Sequence, residues 1–205
     1  MKEFTKKEAV SIIVSSAKKY KNELEGRNLL FLCIDKHNKV FVQEVSFDDN
    51  NFLHLTGVNT SLSPVMFYER CTNQKLSLAD FEFDEDKFAF LKLEALPIMV
   101  SKNLSAKMIG DYDTYNPKLK TDKLAGNVNA IMGFVEKDET PNVFIPNTVL
   151  KSDIRNYSKS TLRIIATFRK NITEDKYQEL TYKANKVEWE KLKFPEQYEY
   201  LVTLL

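Results

Sequence analysis

The chain has 205 residues, 43% of them hydrophobic and 12% aromatic, enough to bury a substantial core and to exclude a disordered chain. Thirty Lys and Arg against 29 Asp and Glu leave a formal charge of +1, so no global field announces a polyanion partner and any basic face must be local. Cys33 and Cys71 have no CxxC neighbour, which argues against a zinc site and suits a reducing cytoplasm. No run approaches the roughly 20 apolar residues of a membrane span, and the N-terminus lacks an uninterrupted apolar stretch, so a cytoplasmic protein without membrane contact is expected.

In chain order, Thr5-Lys6-Lys7-Glu8 is a capping-box pattern that opens a helix with Val10, Ile13, Val14, Ala17 and Leu24 at helical spacing, ended by Gly26. Leu29 to Asp35 and Val40 to Phe47 are β-prone runs joined by a polar turn that holds His37. Asn51 to Val58 reads as a strand, with Phe52, His54 and Thr56 on one face, Leu53 and Leu55 on the other, and Gly57 as the break. These three strands form an expected meander packed on the first helix. His54 then lies at a strand end beside a hydroxyl and a glycine turn, where a neutral imidazole could move a proton near pH 7. A polar residue at the rim of a packed sheet accounts for the same pattern.

Ser63-Pro64 caps a helix through Cys71, and a second cap lies at Ser77 to Asp80. Asp84 to Met99 is helical with Pro97 as a kink or stop, and its acidic start reads as a dipole-favoured end. Ala106 to Asp111 reads as a strand, followed by a polar insert from Tyr112 to Asn127. Strands are expected at Ala130 to Glu136, Val143 to Ile145 and Leu162 to Phe168, while 146–157 has no assignment. Alternation from Leu162 to Arg169 places Arg163 and Arg169 on one face, suited to a phosphate backbone or to protecting an exposed edge. From Thr173 a charged helix carries Tyr177, Leu180, Ala184 and Val187. The expected fold class is α+β: antiparallel sheet, helices packed on one side, a lead-in helix and a C-terminal helical appendage at 171–205. The whole chain reads as one domain with its core at about 29–169.

No phosphate-cradling glycine loop, HExxH, GxSxG or EF-hand motif is present, and there are only five glycines, so no cofactor is expected. Asp111 and Asp113, two apart near a strand end, offer a divalent cation two carboxylates without an identified third, and such pairs are also common in turns.

Phe-Leu-His-Leu-Thr-Gly at 52–57, the following helix with Phe67, Tyr68 and Cys71, Lys92-Leu93, Ile109-Gly110-Asp111 and the stretch from Pro146-Asn147-Thr148 to Asp153 together resemble a phage- and mobile-element-associated branch of the barnase, EndoU, colicin and RelE-like nucleases. The resemblance implies a metal-independent ribonuclease of toxin or effector type. RNA, with tRNA among the candidates, is the implied substrate, and a cognate immunity or antitoxin protein the implied partner. RNA carries its own nucleophile, so cleavage needs a base for the 2′-hydroxyl, an acid for the leaving 5′-oxygen and cations for the phosphorane. The candidates are His54 as acid or base, Thr56 to orient it or bond a phosphate oxygen, Arg163 and Arg169 for charge, and Tyr68, Tyr112 and Tyr115 to stack on or hydrogen-bond a base. Convergence of His54, Thr56 and an arginine in one cleft favours an enzyme; dispersal favours a non-catalytic protein- or RNA-binding module with the nuclease fold.

Overall fold

The capping box at Thr5 forms as written: the Glu8 N–H donates to Thr5 Oγ1 at 3.2 Å and the Thr5 N–H to Glu8 Oε2 at 2.8 Å. In a computed structural model describing residues 2–85, 88–113, 119–138 and 140–205, this opens α1, Lys6–Glu23. Its buried stripe is Ala9, Ile13, Ser16, Ala17 and Tyr20. Gly26, at φ 66°, turns the chain into β1 (Arg27–Ile34), which pairs antiparallel with β2 (Val40–Phe47). Asp35 closes the hairpin by accepting the N–H groups of His37 and Lys39 at 2.8 and 2.9 Å, and His37 is exposed.

The expected third strand of the meander is a helix. A 3-10 turn at Asp49–Asn51, capped by Asp48, runs directly into α2, Phe52–Thr56, and Gly57 ends it in the left-handed conformation at φ 70°. α3 (Pro64–Thr72) starts at the Ser63 cap, and α4 (Phe88–Met99) keeps Pro97 within its last turn.

β3 (Met108–Asp111), β4 (Lys123–Gly126), β5 (Ile131–Lys137), β6 (Thr140–Leu150) and β7 (Thr161–Asn171) complete a ring in which β1, β2, β6, β5, β4, β3 and β7 each pair with the next and β7 pairs with β1. Every pairing is antiparallel except β2–β6. β4 lies inside what reads as a polar insert. β6 takes in residues 146–150 of the unassigned connection, with Pro146 at a register shift where a missing N–H is tolerated. The predicted helix after Thr173 is instead β8, Glu179–Lys183, on the edge of β7, and only 3-10 turns at Trp189–Lys191 and Glu196–Leu204 follow it. The fold is α+β. α1 to α4 cover one face of the sheet through Tyr20, Phe52, Phe67 and Leu93 against Phe31, Phe47 and Phe134. The residues after β7 cover the other face of β1 and β7, with Tyr177, Ala184 and Leu201 against Leu30, Leu32 and Phe168.

β7 also corrects the arginine pair. Opposite β1 its register shifts, with Leu32 facing Ala166 and Cys33 facing Ile164, so Ile165 is an extra residue that reverses the alternation. Arg163 and Arg169 therefore stand on opposite faces. Arg163 donates to the Asn185 carbonyl at 3.0 Å. Arg169, only 12% exposed, donates to the Glu23 carbonyl and carboxylate, each at 3.0 Å, and to both Glu179 oxygens at 2.8 and 2.9 Å. It thus ties the end of α1 to β7 and β8. Arg169→Met is expected to lower unfolding free energy by about 2 kcal/mol in urea titrations, because the Glu23 carbonyl and two carboxylates lose their donor.

Candidate active site

α2 is short, and packing decides which way its side chains point. Positions i, i+3 and i+4 share a helix face, so Phe52, Leu55 and Thr56 enter the core together and His54 is turned outward. Phe52 meets Tyr20 and Tyr68 with ring centroids 5.3 Å from each. Thr56, predicted to share a face with His54, is fully buried and its hydroxyl donates to the Leu53 carbonyl at 2.7 Å. It does not reach the imidazole's surroundings.

His54 lines an open cleft of about 340 Å³ with Gly57, Asn59, Asp84, Phe88 and Lys92. Asn59 is held by a two-way backbone bridge to Glu82, at 2.9 and 2.8 Å, and its amide donates to Asp84. Lys92 comes from α4, a helix apolar almost all round, and its Nζ donates to the His54 carbonyl at 2.6 Å. That bond satisfies a carbonyl at the end of α2, where no helical N–H follows. Burial pulls the Lys92 ammonium down to about 8. Burial, and then the charge of Lys92, hold the His54 imidazole below its ordinary value, so it is largely neutral at pH 7. A neutral imidazole and a nearby lysine that titrates close to neutrality can accept a proton and donate one. Gly57 permits the approach of α2 to α4: a Cβ there would stand 2.7 Å from Lys92 Cδ and 3.2 Å from the Ala89 backbone.

The other predicted residues lie elsewhere. Tyr68 is buried, its hydroxyl donating to Glu25 at 3.0 Å, and burial pushes its pKa up. Tyr112 is half-buried against the cluster of Leu124, Ile131 and Leu150, and its hydroxyl accepts the Leu119 N–H at 3.3 Å. Tyr115 lies outside the described residues. Asp111 pairs with Lys123, and Asp113 accepts the Lys159 N–H at 2.7 Å. Among the described residues no group of three His, Cys, Asp or Glu is placed to hold a metal ion. Both cysteines are free and buried, and burial raises both thiols. Sequence reasoning missed Lys92, Asp84 and Asn59 as cleft residues. The available signal was a lone lysine in the apolar run Phe-Ala-Phe-Leu-Lys-Leu.

A family model described as phage-Barnase-EndoU-ColicinE5/D-RelE like nuclease4 matches residues 12–186. The chain belongs to this nuclease family. The match begins within α1 and takes in every element from β1 to β8 and all residues of the His54 cleft. No curated protein and no solved structure matches the chain at a significant level. A nuclease of this family acts on nucleic acid, and no helix among the described residues is long and apolar enough to cross a membrane.

Gly57→Ala is expected to cost about 1–2 kcal/mol in chemical denaturation, since it combines a left-handed φ with a clash against Lys92. Lys92 also makes stability depend on pH. Its folded pKa of about 8 lies below the ordinary 10.5, so the penalty of burying its charge is fully present below pH 8. Between about 8 and 10.5 the unfolded chain binds more protons, and stability rises with pH. Denaturation at points across that window should show the rise in the wild type and lose it in Lys92→Met.

Proposed function

We propose that this nuclease is a metal-independent endoribonuclease of toxin or effector type, carried by a phage or a conjugative element, with the His54 cleft as its active site. The carrying observation is that an imidazole held neutral at pH 7 and a lysine with a pKa of about 8 line the same open cleft. In this reading neutral His54 takes the proton of the 2′-hydroxyl as its oxygen attacks the phosphorus. Lys92, as ammonium, balances the charge of the phosphorane and gives a proton to the departing 5′-oxygen. The products are a 2′,3′-cyclic phosphate and a 5′-hydroxyl. One Lys92 N–H is engaged by the His54 carbonyl, which leaves two for substrate. Asn59 and Asp84 supply polar contacts at the cleft wall.

A second reading, a binding module that retains the nuclease fold, draws support from the dispersal of Thr56, Arg163 and Arg169 away from His54. The two separate on incubation of the wild type and His54→Ala with total bacterial RNA and tRNA in EDTA, with the new ends mapped. Specific cuts ending in 2′,3′-cyclic phosphate, lost in a folded His54→Ala protein, are expected. An intact RNA pool, with or without added magnesium, would move the assignment to the binding module.

The pH profile of cleavage follows from the two shifts. Activity should climb as His54 loses its proton, at a pKa below 6.5, and fall as Lys92 loses its own at about 8. Lys92→Arg, which keeps the charge but titrates far higher, should remove the alkaline limb and lower the maximal rate, by roughly 100-fold if proton donation is the main loss. A profile flat from pH 5 to 9 would overturn these roles.

A further inference from the structure

The family match ends at Lys186, and 19 residues follow it. Their apolar side chains cover one face of β1 and β7, while Lys191 and Lys193 are exposed beside the β1–β2 turn. Lys191, Lys193, Phe194, His37 and Lys39 line one open hollow of about 580 Å³. Lys191 also lines a smaller one, of about 180 Å³, with Arg163, Lys186, Asn38 and Glu188. The two hollows share Asn38 and Lys191 as lining residues. Neither shares a lining residue with the His54 cleft.

The charges on this surface are unequal. Among the described residues no carboxylate comes within ion-pair distance of Lys39, Lys186 or Lys193. Glu188 pairs with Lys191 at 3.0 Å on an exposed surface, a contact that salt or a ligand displaces readily. Asp35 is turned into its own hairpin, where the N–H groups of Lys39 and His37 lower its pKa. Glu190 is exposed in the same segment, and the exposed Glu196 and Glu199 follow Pro195 without lining either hollow. Asn38 and Lys186, both on the smaller hollow, hold left-handed φ values of 60° and 57°. For a lysine that conformation costs on the order of 1 kcal/mol. The rings of Phe194 and His37 stand among the cations, the pairing of stacking surface and positive groove that single strands favour.

We propose that the β1–β2 turn and residues 186–195 form a docking strip for the phosphate backbone of a single-stranded nucleic acid, separate from the His54 cleft. Lys39, Lys186, Lys191 and Lys193 contact phosphates, and Phe194 and His37 stack on bases. Of the strip, residues 187–195 lie beyond the family match, while the β1–β2 turn and Lys186 lie within it. It requires that the chain bind nucleic acid, and it does not require that His54 be catalytic.

The test is fluorescence anisotropy with a labelled 2′-O-methyl oligonucleotide, which cannot be cleaved through its 2′-oxygen, across a potassium chloride series. The variant Lys39→Gln/Lys186→Gln/Lys191→Gln/Lys193→Gln should bind roughly 10-fold or more weakly, and its log K against log[salt] slope should shrink by about 3, at 0.7 per lost phosphate contact. A control variant, Lys7→Gln/Lys18→Gln/Lys19→Gln/Lys21→Gln, removes the same charge from exposed positions on α1 and should bind like the wild type. The readout is binding and not cleavage, so failure of the catalytic assignment leaves this test standing. Circular dichroism melts establish that the variants fold. Equal losses in both lysine variants, an unchanged slope, or capture of anionic vesicles with no oligonucleotide binding would each overturn the strip.

Discussion

Phe52 is the residue on which the candidate site depends. It packs at a tilt against Tyr68 and edge-on against Tyr20, and Tyr20 in turn meets Phe47, so a cluster of four rings joins α1, α3, β2 and α2. The Tyr20 hydroxyl finds the Asp48 carbonyl at 2.7 Å, which holds the turn that leads into α2. An isolated five-residue helix would not persist in water, so α2 exists because this aromatic cluster buries its inner face. Once Phe52, Leu55 and Thr56 are committed inward, His54 is exposed by helical geometry, and its carbonyl is presented to Lys92.

The strand reading of Asn51 to Val58 failed because alternation of apolar and polar residues over five positions fits either element. The punctuation around it favoured the helix: Asp48, with Asn51 three residues on, is a cap, and Gly57 is a left-handed stop. The same local signals explain what was legible. Thr5 with Glu8, Ser63 with Pro64 and Asp35 at the hairpin are all satisfied by hydrogen bonds within a few residues, so α1, α3 and the β1–β2 turn follow directly from the sequence. The family resemblance was legible as well, carried by residues around His54 and Lys92.

What was not legible is set by contacts between distant segments. The parity of β7 breaks at Ile165, and nothing in Leu-Arg-Ile-Ile-Ala-Thr-Phe-Arg marks an extra residue; the shift exists only against β1. Residues 177–187 have helical spacing, yet the free edge of β7 recruits Glu179–Lys183 as a strand, and Arg169 rewards that pairing by meeting Glu179. Both outcomes remove residues from the expected site. Arg169 becomes a brace between α1 and β8, and Arg163 moves to the face covered by the tail.

Net charge concealed the division of labour among the cations. Arg70, Arg155, Arg169, Lys6 and Lys123 each meet a carboxylate and are spent on structure. Lys92 is different in kind: a partly buried ammonium held by a backbone carbonyl, whose pKa falls because burial is not offset by a paired acid. A carboxylate at bonding distance would have raised that pKa and removed the lysine from the range useful at neutral pH. The proposed chemistry would therefore need acids kept one step away; Asp84, the acid that lines the cleft, is engaged by the Asn59 amide. A formal charge of +1 therefore hides cations of different kinds: some locked in ion pairs, others exposed on α1 and around the β1–β2 turn, and one lysine whose pKa is lowered by burial.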